Sequence, residues 1–371
     1  MKRSHVLVIG GGIGGLTAAA ALGQNGFEVT VIERSDGRAV EGVGISQQAN
    51  VVRAMASLGL AQDYLEAGFA YHAVEIYAPD GSLVARTPAR SLIEGYPPSM
   101  GIPRPALHRV LGAAAARAGA AVRNATTATE LSDDGDGVEA ALSDGTRARY
   151  DLAIGADGVY SQTRRMLFPT VPGPAFTGQG VWRYNLPRPT GFDALHVYNG
   201  PTGVGLVPMS HAEIYLYATT PEPDNPQFPT AGLAARMRER LARCAPAIRE
   251  IATRITEDEA VVYRPLEAIF LDGAWHRGRI ALLGDAVHAT TPHLGQGGGM
   301  AIEDAVVLAE ELARHSEPEN AFAAYRARRF ERCRFVVEKS LEICRGQLGK
   351  GPLVDNAKAG AEMNALLAQP I

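Results

Sequence analysis

Apolar runs separated by polar turns organise the first 35 residues. His5–Ile9 (HVLVI) predicts a short buried strand, Leu16–Leu22 a helix stopped by Asn25-Gly26, and Glu28–Glu33 (EVTVIE) a second strand. A strand–helix–strand unit this compact belongs in a parallel sheet. Residues 49–60 put Val52, Met55, Leu58 and Leu60 on one helical face, and Leu107–Ala118 predicts an alanine-rich helix ended by Gly119. Short strands are expected over 120–150 around Asp133-Asp134-Gly135 and Asp144-Gly145. Leu152–Gly155 follows as a buried strand running into a glycine turn.

From about Val171 the pattern changes, and proline and glycine become dense. Gly180–Leu186, Leu195–Asn199, Val204–Pro208 and Glu213–Thr219 predict a second, mostly antiparallel module. An amphipathic helix is expected over 231–255 and a strand at Val261–Pro265. The buried-strand pattern of the first module returns at Arg279–Leu283, and Glu303–Ile343 reads as helical and charged.

Composition narrows this little. A chain of 371 residues predicts two or three domains. At 46% hydrophobic and 20% charged it is too apolar for disorder. Lys+Arg 36 against Asp+Glu 40, a net charge of −4, argues against a nucleic-acid partner. Three cysteines without a CxxC pair fit a reducing compartment. The strand pattern beginning at His5 leaves no room for a signal peptide, and no apolar run is long enough to span a membrane, so the cytoplasm is the expected location. No His/Asp/Glu cluster has metal-ligand spacing and no GxSxG elbow is present, so neither a metal site nor a hydrolase triad is expected.

Three glycine-marked loops carry the chemistry. In Gly10-x-Gly12-x-x-Gly15 the glycines allow a tight turn, close approach of a pyrophosphate and close helix–sheet packing. The following helix start offers free amides to phosphate. Glu33, at the end of the second strand, is placed to accept hydrogen bonds from a ribose and disfavours a 2′-phosphate there. The loop signals a dinucleotide without separating FAD from NAD. In the second loop, Gly155-Ala156-Asp157-Gly158, Asp157 either faces a ligand or fixes the turn, and Ser161 is placed to cap the next helix. In the third, Gly284-Asp285 ends a strand, and Gly295-Gln296-Gly297-Gly298-Gly299 opens a helix, another surface for an anion or flat ring.

Together, GxGxxG with its terminal Glu, the GADGxxSxxR string and GDAxHxxxPxxGQG followed by AIEDA resemble the single-component FAD-dependent aromatic hydroxylases. These are flavoprotein monooxygenases of the para-hydroxybenzoate and salicylate hydroxylase type. Gly42-Val43-Gly44-Ile45 with Asn50 and Arg53, and Arg104 followed by Leu107, agree with the family pattern. The resemblance implies an α/β fold: a Rossmann-like FAD-binding domain, an interleaved, mostly antiparallel substrate domain, and C-terminal helices. The expected boundaries are 1–71, 100–173 and 270–315 for the FAD-binding domain, 72–99 and 174–269 for the substrate domain, and 316–371 for the C-terminal helical segment.

The same resemblance assigns Gly10, Gly12, Gly14 and Gly15 to the FAD pyrophosphate region, and Glu33 with Arg34 to the adenosine ribose. Arg104 is assigned to the ribityl–pyrophosphate region, Asp285 to the ribityl chain, and Leu294, Gly295, Gln296, Gly297 and Gly298 to the isoalloxazine edge. Pro292 would sit over the flavin face, and Asp157 would be structural and linked to nicotinamide use. NADH or NADPH would reduce the flavin without a domain of its own, and molecular oxygen would react to give a C4a-hydroperoxyflavin that hydroxylates a small aromatic or heteroaromatic ring. Two departures stand out: Ala49-Asn50-Val51 replaces the usual Pro-Asn-Ala, and Gly299 replaces an Asn.

Strand alternation puts Val181, Arg183 and Asn185 on one face and Trp182 and Tyr184 on the other. Arg183 either faces the substrate or lies on the surface. Tyr217, paired in phase with Tyr215, and His293, next to Pro292, are further catalytic candidates against ordinary structural roles. His196 and Tyr198 read as ordinary sheet residues, His288 as part of its turn, and Ser46 and Gln47 as pocket lining. Epoxidation, decarboxylative hydroxylation and double-bond reduction are alternatives on the same fold. A halogenase is more distant, because Trp182-x-Tyr184-x-Leu186-Pro187 lacks that group's second Trp. A non-catalytic flavin sensor is the alternative of a different class. Either a monomer or a homodimer fits.

Overall fold

The computed structural model describes residues 4–37 and 43–371. Gly42, from the segment expected under the flavin, lies outside the described residues. His5–Ile9 pairs in parallel with Glu28–Ile32 on one side and Leu152–Gly155 on the other. Ile280–Leu282 adds next to Leu152–Gly155, so the strand predicted near Arg279 joins the N-terminal sheet across more than a hundred residues of chain. Ala121–Arg123 and His276–Arg277 complete six strands, and only the last runs antiparallel.

The helix Ile13–Gln24 begins one turn earlier than the apolar run indicates. Its Ala18–Ala21 are essentially inaccessible, and these small side chains let it pack closely between Arg104–Arg117 and Gly297–Arg314.

The second module is a seven-stranded sheet in the order Val262–Ala268, Ala175–Pro187, Glu213–Pro221, Gly203–Pro208, Leu195–Tyr198, Ala73–Tyr77, Leu83–Pro88. All pairings are antiparallel except that of Leu195–Tyr198 with Ala73–Tyr77. The predicted alternation holds. Trp182, Tyr184 and Leu186 enter a core shared with the helices Leu233–Leu241 and Pro246–Ala252. On the opposite face, Arg183 sits beside Tyr217 and Asn185 beside Tyr215 in register. Two three-stranded sheets complete the fold: Ala128–Asp133 with Val138–Leu142 and Arg147–Tyr150, and Phe69–Ala70 with Ser99–Pro103 and Gly44–Gln48.

Several helices differ from expectation. The single helix over 231–255 is two, because Pro246 has no N–H to continue a helix and suits a first turn. Glu303–Ile343 likewise divides into Gly297–Arg314 and Pro318–Gln347, with Pro318 starting the second. The helix expected over 49–60 stops at Ser57, and Ala61–Glu66 follows. A last helix, Asn356–Ala368, is capped by the Asp355 carboxylate, which accepts from the amides of Ala357 and Lys358. Its end is tied down by Arg53, which donates to the carbonyls of Leu367 and Ala368. Among the described residues no helix is long and apolar enough to cross a membrane.

Candidate functional site

The first glycine loop divides its work. Gly10 has φ +111°, and a Cβ there would lie 2.4 Å from the Ala156 carbonyl oxygen. A Cβ on Gly15 would lie 1.9 Å from the Gly10 oxygen, and one on Gly14 would lie 2.7 Å from Leu283 Cδ2. These three glycines bring helix, loop and sheet together. Gly12 is different: nothing lies within 4 Å of a Cβ at that position, so its backbone faces open space. It is also the N-cap of Ile13–Gln24, where no side chain caps the first amides.

Glu33 stands beside this loop. Its Oε2 accepts from the Gly11 amide at 2.7 Å and its Oε1 from the Ser35 amide at 2.8 Å. A carboxylate has about four lone-pair sites, so capacity remains for ribose hydroxyls. A cavity of about 620 Å³ opens here, lined among others by Gly12, Glu33, Ser35, His108, Arg109 and Asn124. Arg34 is exposed. His108 holds the loop from the other side, Nε2 to the Gly11 carbonyl at 2.9 Å. The sequence reading did not single out His108, although it directly follows the Arg104–Leu107 signature.

Asp157 takes the turn-fixing role of the two open to it. Its carboxylate accepts from the Thr163 amide at 2.9 Å, from the Thr163 hydroxyl at 3.0 Å, and from Ser161. Ser161 caps Gln162–Leu167 as expected, accepting from the Arg164 amide. Asp157 nevertheless adjoins the first loop, because a Cβ on Gly10 would lie 3.1 Å from its Cα.

At the third loop, Asp285 opens the one-turn helix Asp285–His288. Its side chain is exposed in the cleft, yet the surrounding protein raises the carboxyl pKa, against the pull of His288 and Arg104. Arg104 is likewise exposed; desolvation by the surrounding protein lowers its guanidinium, Arg183 adds to this, and Asp285 opposes it. These electrostatic interactions bring a residue of the seven-stranded sheet, Arg183, together with Arg104 and Asp285 of the flavin-type loops. His288 is buried against Asp304 at 2.6 Å, so it belongs to its turn as expected. Asp304 also accepts from the Gly284 amide at 3.0 Å and from Arg329 Nε at 2.8 Å. Among the described residues, His288, Asp304 and Cys333 have metal-ligand atoms within 4.8 Å of one another. The Asp304 carboxylate also engages Arg329 and the Gly284 amide.

Pro292–Leu294 forms a tight 3₁₀ turn, with Leu294 buried and Gly295 in the left-handed region at φ +65°. The Gln296 side chain does not face the cleft. It is buried, donates to Gln48 and exchanges hydrogen bonds with Asn50, with Nδ2 to Oε1 at 3.0 Å. The N-cap Gln296 makes no side-chain cap to the helix Gly297–Arg314. The two departures from the family pattern meet in space. A Cβ on Gly299 would lie 2.8 Å from Val51 Cγ2, so the larger side chain at 51 occupies the room the missing one at 299 leaves.

The sheet face above these loops is rich in tyrosine. Arg183 Nε donates to Tyr215 Oη at 3.0 Å. The Tyr217 ring lies 5.7 Å from that of Tyr215 between centroids, tilted by 40°, and it lies over Gly205, where a Cβ would come within 2.1 Å. Burial raises the Tyr217 pKa, which keeps it a neutral phenol. Ser46 Oγ and Tyr71 Oη are 2.6 Å apart, and no sequence pattern had marked Tyr71. Gln47 is buried, and its Oε1 accepts from Tyr64 Oη at 2.7 Å. His196 and Tyr198 lie on the other face, against Glu75 and Tyr77, as ordinary sheet residues. His293 has both ring nitrogens engaged, Nδ1 with Thr291 Oγ1 and Nε2 with Gln347 Oε1.

Comparison with known proteins agrees with this geometry. The family described as "FAD binding domain" matches residues 3–340. The putative FAD-dependent monooxygenase YetM of Bacillus subtilis is 31% identical over 351 residues, covering 94% of this chain and 95% of that protein. The aurachin C monooxygenase/isomerase of Stigmatella aurantiaca is 32% identical, covering 93% of this chain and 89% of its own. The crystal structure of Klebsiella pneumoniae HpxO with FAD and uric acid superposes with a TM-score of 0.85 at 28% identity, covering 99% of this chain and 93% of that one.

Proposed function

Because the chain belongs to the FAD binding domain family and is an FAD-dependent monooxygenase, we propose that it hydroxylates a small aromatic or heteroaromatic ring, consuming NADH or NADPH and molecular oxygen. One observation carries the reading. Arg183, on the tyrosine face of the substrate sheet, is held by Tyr215 and interacts electrostatically with Arg104, which in turn faces Asp285. A cationic donor is thereby fixed between the substrate sheet and the flavin loops.

The residues present fit FAD. Gly12 leaves its backbone open, two helix N-termini lack side-chain caps, and Glu33 borders a cavity large enough for an adenosine. On this reading Gly10, Gly12, Gly14 and Gly15 build the pyrophosphate loop, and Glu33 receives the ribose. Arg104 and Asp285 flank the ribityl chain, and the 294–298 backbone meets the ring edge. When bound, FAD supplies the redox chemistry: hydride acceptance and oxygen activation. The protein supplies position and dryness. Arg183 stabilises an ionised ring hydroxyl and so raises ring nucleophilicity, Tyr217 donates from its neutral phenol, and Pro292 and His293 wall the chamber. On this reading the substrate sheet is inserted between pieces of the FAD-binding unit; the membership of the two large sheets supports it.

The test is NAD(P)H oxidation by the FAD-loaded protein with a panel of phenols, hydroxylated N-heterocycles and purines, under labelled dioxygen. One or more compounds should stimulate oxidation and acquire label. If none does, the hydroxylase reading fails; an epoxide or a saturated product would replace it with another chemistry of the same fold. Arg183→Ala should raise the KM for the active compound about 10–100-fold, the cost of a charged hydrogen bond, while FAD absorbance is retained. Unchanged kinetics would remove Arg183 from the site.

A further inference from the structure

His293 sits on the turn Pro292–Leu294, and its ring bridges two parts of the molecule. Nδ1 lies 2.9 Å from Thr291 Oγ1, and Nε2 lies 3.0 Å from Gln347 Oε1. Gln347 is the last residue of the long helix Pro318–Gln347. The same amide oxygen accepts from Gln179 Nε2 at 2.9 Å and from the Thr219 hydroxyl at 3.3 Å. Gln179 and Thr219 stand on adjacent strands of the seven-stranded sheet. One oxygen therefore ties the turn, the substrate sheet and the helix Pro318–Gln347 together. The arrangement needs Gly203, where a Cβ would lie 2.9 Å from Gln347 Nε2.

An amide oxygen only accepts, so Nε2 carries the His293 proton and Nδ1 accepts from the Thr291 hydroxyl. Neither nitrogen is left to take a proton from a substrate. We propose that Gln347 is a positioning residue for turnover: it fixes His293 as the Nε2–H tautomer, so that the ring meets the substrate chamber as a neutral wall and not as a base. The proposal rests on the hydroxylase reading and adds a residue to it that lies far from every motif. Burial lowers the His293 pKa to about 4, and the contact with Gln347 opposes it.

The test uses the FAD-loaded full chain with nitrogen-labelled histidine. In the wild type, NMR should show the Nε2–H tautomer of His293 with a midpoint near 4. Gln347→Glu keeps the shape and offers a carboxylate, and should raise that midpoint at least tenfold in proton affinity. Product formed per NAD(P)H consumed should then acquire a new pH-dependent limb, and adding His293→Asn should abolish it. Gln347→Met removes the acceptor without adding charge; it should lower coupling at every pH and create no new limb. A wild-type His293 that titrates near 6.5, the ordinary histidine value, overturns the proposal. So does Gln347→Glu that leaves both midpoint and coupling unchanged. A wild type that oxidises no ring, while Gln347→Glu still shifts the midpoint, counts against the hydroxylase reading and supports the His293–Gln347 assignment.

Discussion

Gly12 and Gly15 share one loop and fail differently when a side chain is added. A Cβ on Gly15 meets the Gly10 carbonyl oxygen at 1.9 Å, a backbone atom that cannot swing away. Gly15→Ala should therefore lower the melting temperature and abolish FAD retention together. Gly12→Ala meets nothing of the protein and should fold with an unchanged melting temperature. Its methyl group intrudes where the pyrophosphate approaches, so FAD affinity should fall by about tenfold or more, about 1.4 kcal/mol. Flavin absorbance after gel filtration and circular dichroism separate the two; equal behaviour would contradict the division of roles. His293 gives a second expectation at this scale. Its folded pKa of about 4 lies below the unfolded value, so the unfolded chain binds the proton first as pH falls. Its share of stability is present at neutral pH and is lost on acidification from about 6.5 towards 4. Between pH 7 and 5 the wild type should lose about 2 kcal/mol more than His293→Asn, read by urea unfolding at each pH. Parallel curves would show that the imidazole is not buried neutral. At the residue scale the sequence brought forward Gly12, Glu33 and Asp285 from their loops and Arg183 from strand alternation. It missed His108 and Gln347, because a single His or Gln on a helix carries no spacing signal.

Elements were legible where local pattern fixes them. The first strand–helix–strand unit and the alternation around Arg183 follow from periodicities of 3.6 and 2. Helix breaks were less legible, because the amphipathic phase continues past Pro246 and Pro318 while the missing N–H stops the helix. The meeting of Ala49–Ser57 with the start of Gly297–Arg314 shows what an element pair adds. Gly299→Asn alone should clash with Val51 and cost about 1–3 kcal/mol through overpacking. Adding Val51→Ala should recover most of that loss, giving a coupling energy above about 0.5 kcal/mol in a double-mutant cycle. Additive effects would show that the two departures from the family pattern are independent.

Across the whole molecule, the long helix Pro318–Gln347 is bolted to the FAD-type unit by buried charge. Arg329, with no accessible surface, donates to Glu303 at 2.7 Å and to Asp304 at 2.8 Å, and Arg332 donates to Glu303 at 3.1 Å. Burial alone would raise the Asp304 carboxyl, but His288 and Arg329 overcome it and hold the group well below the usual carboxylate range. Arg329→Met should cost about 3–5 kcal/mol, since it leaves two buried carboxylates short of a partner. Because Asp304 also holds the Gly284 amide and His288, flanking Asp285, FAD release should accelerate in the same variant. Thermal unfolding with flavin fluorescence measures both; a stable variant that keeps its flavin would show the network to be dispensable.

By itself the sequence determined the loops, the strands that lead into them and the class of cofactor, because each of those depends on residues close together in the chain. Only the tertiary structure decided that Gln347 meets His293, that Val51 fills the space beside Gly299 and that Arg183 reaches Tyr215. Those pairs are set by sheet register and helix docking, where side chains dozens to hundreds of residues apart compete for the same few ångströms, and no local spacing encodes the outcome.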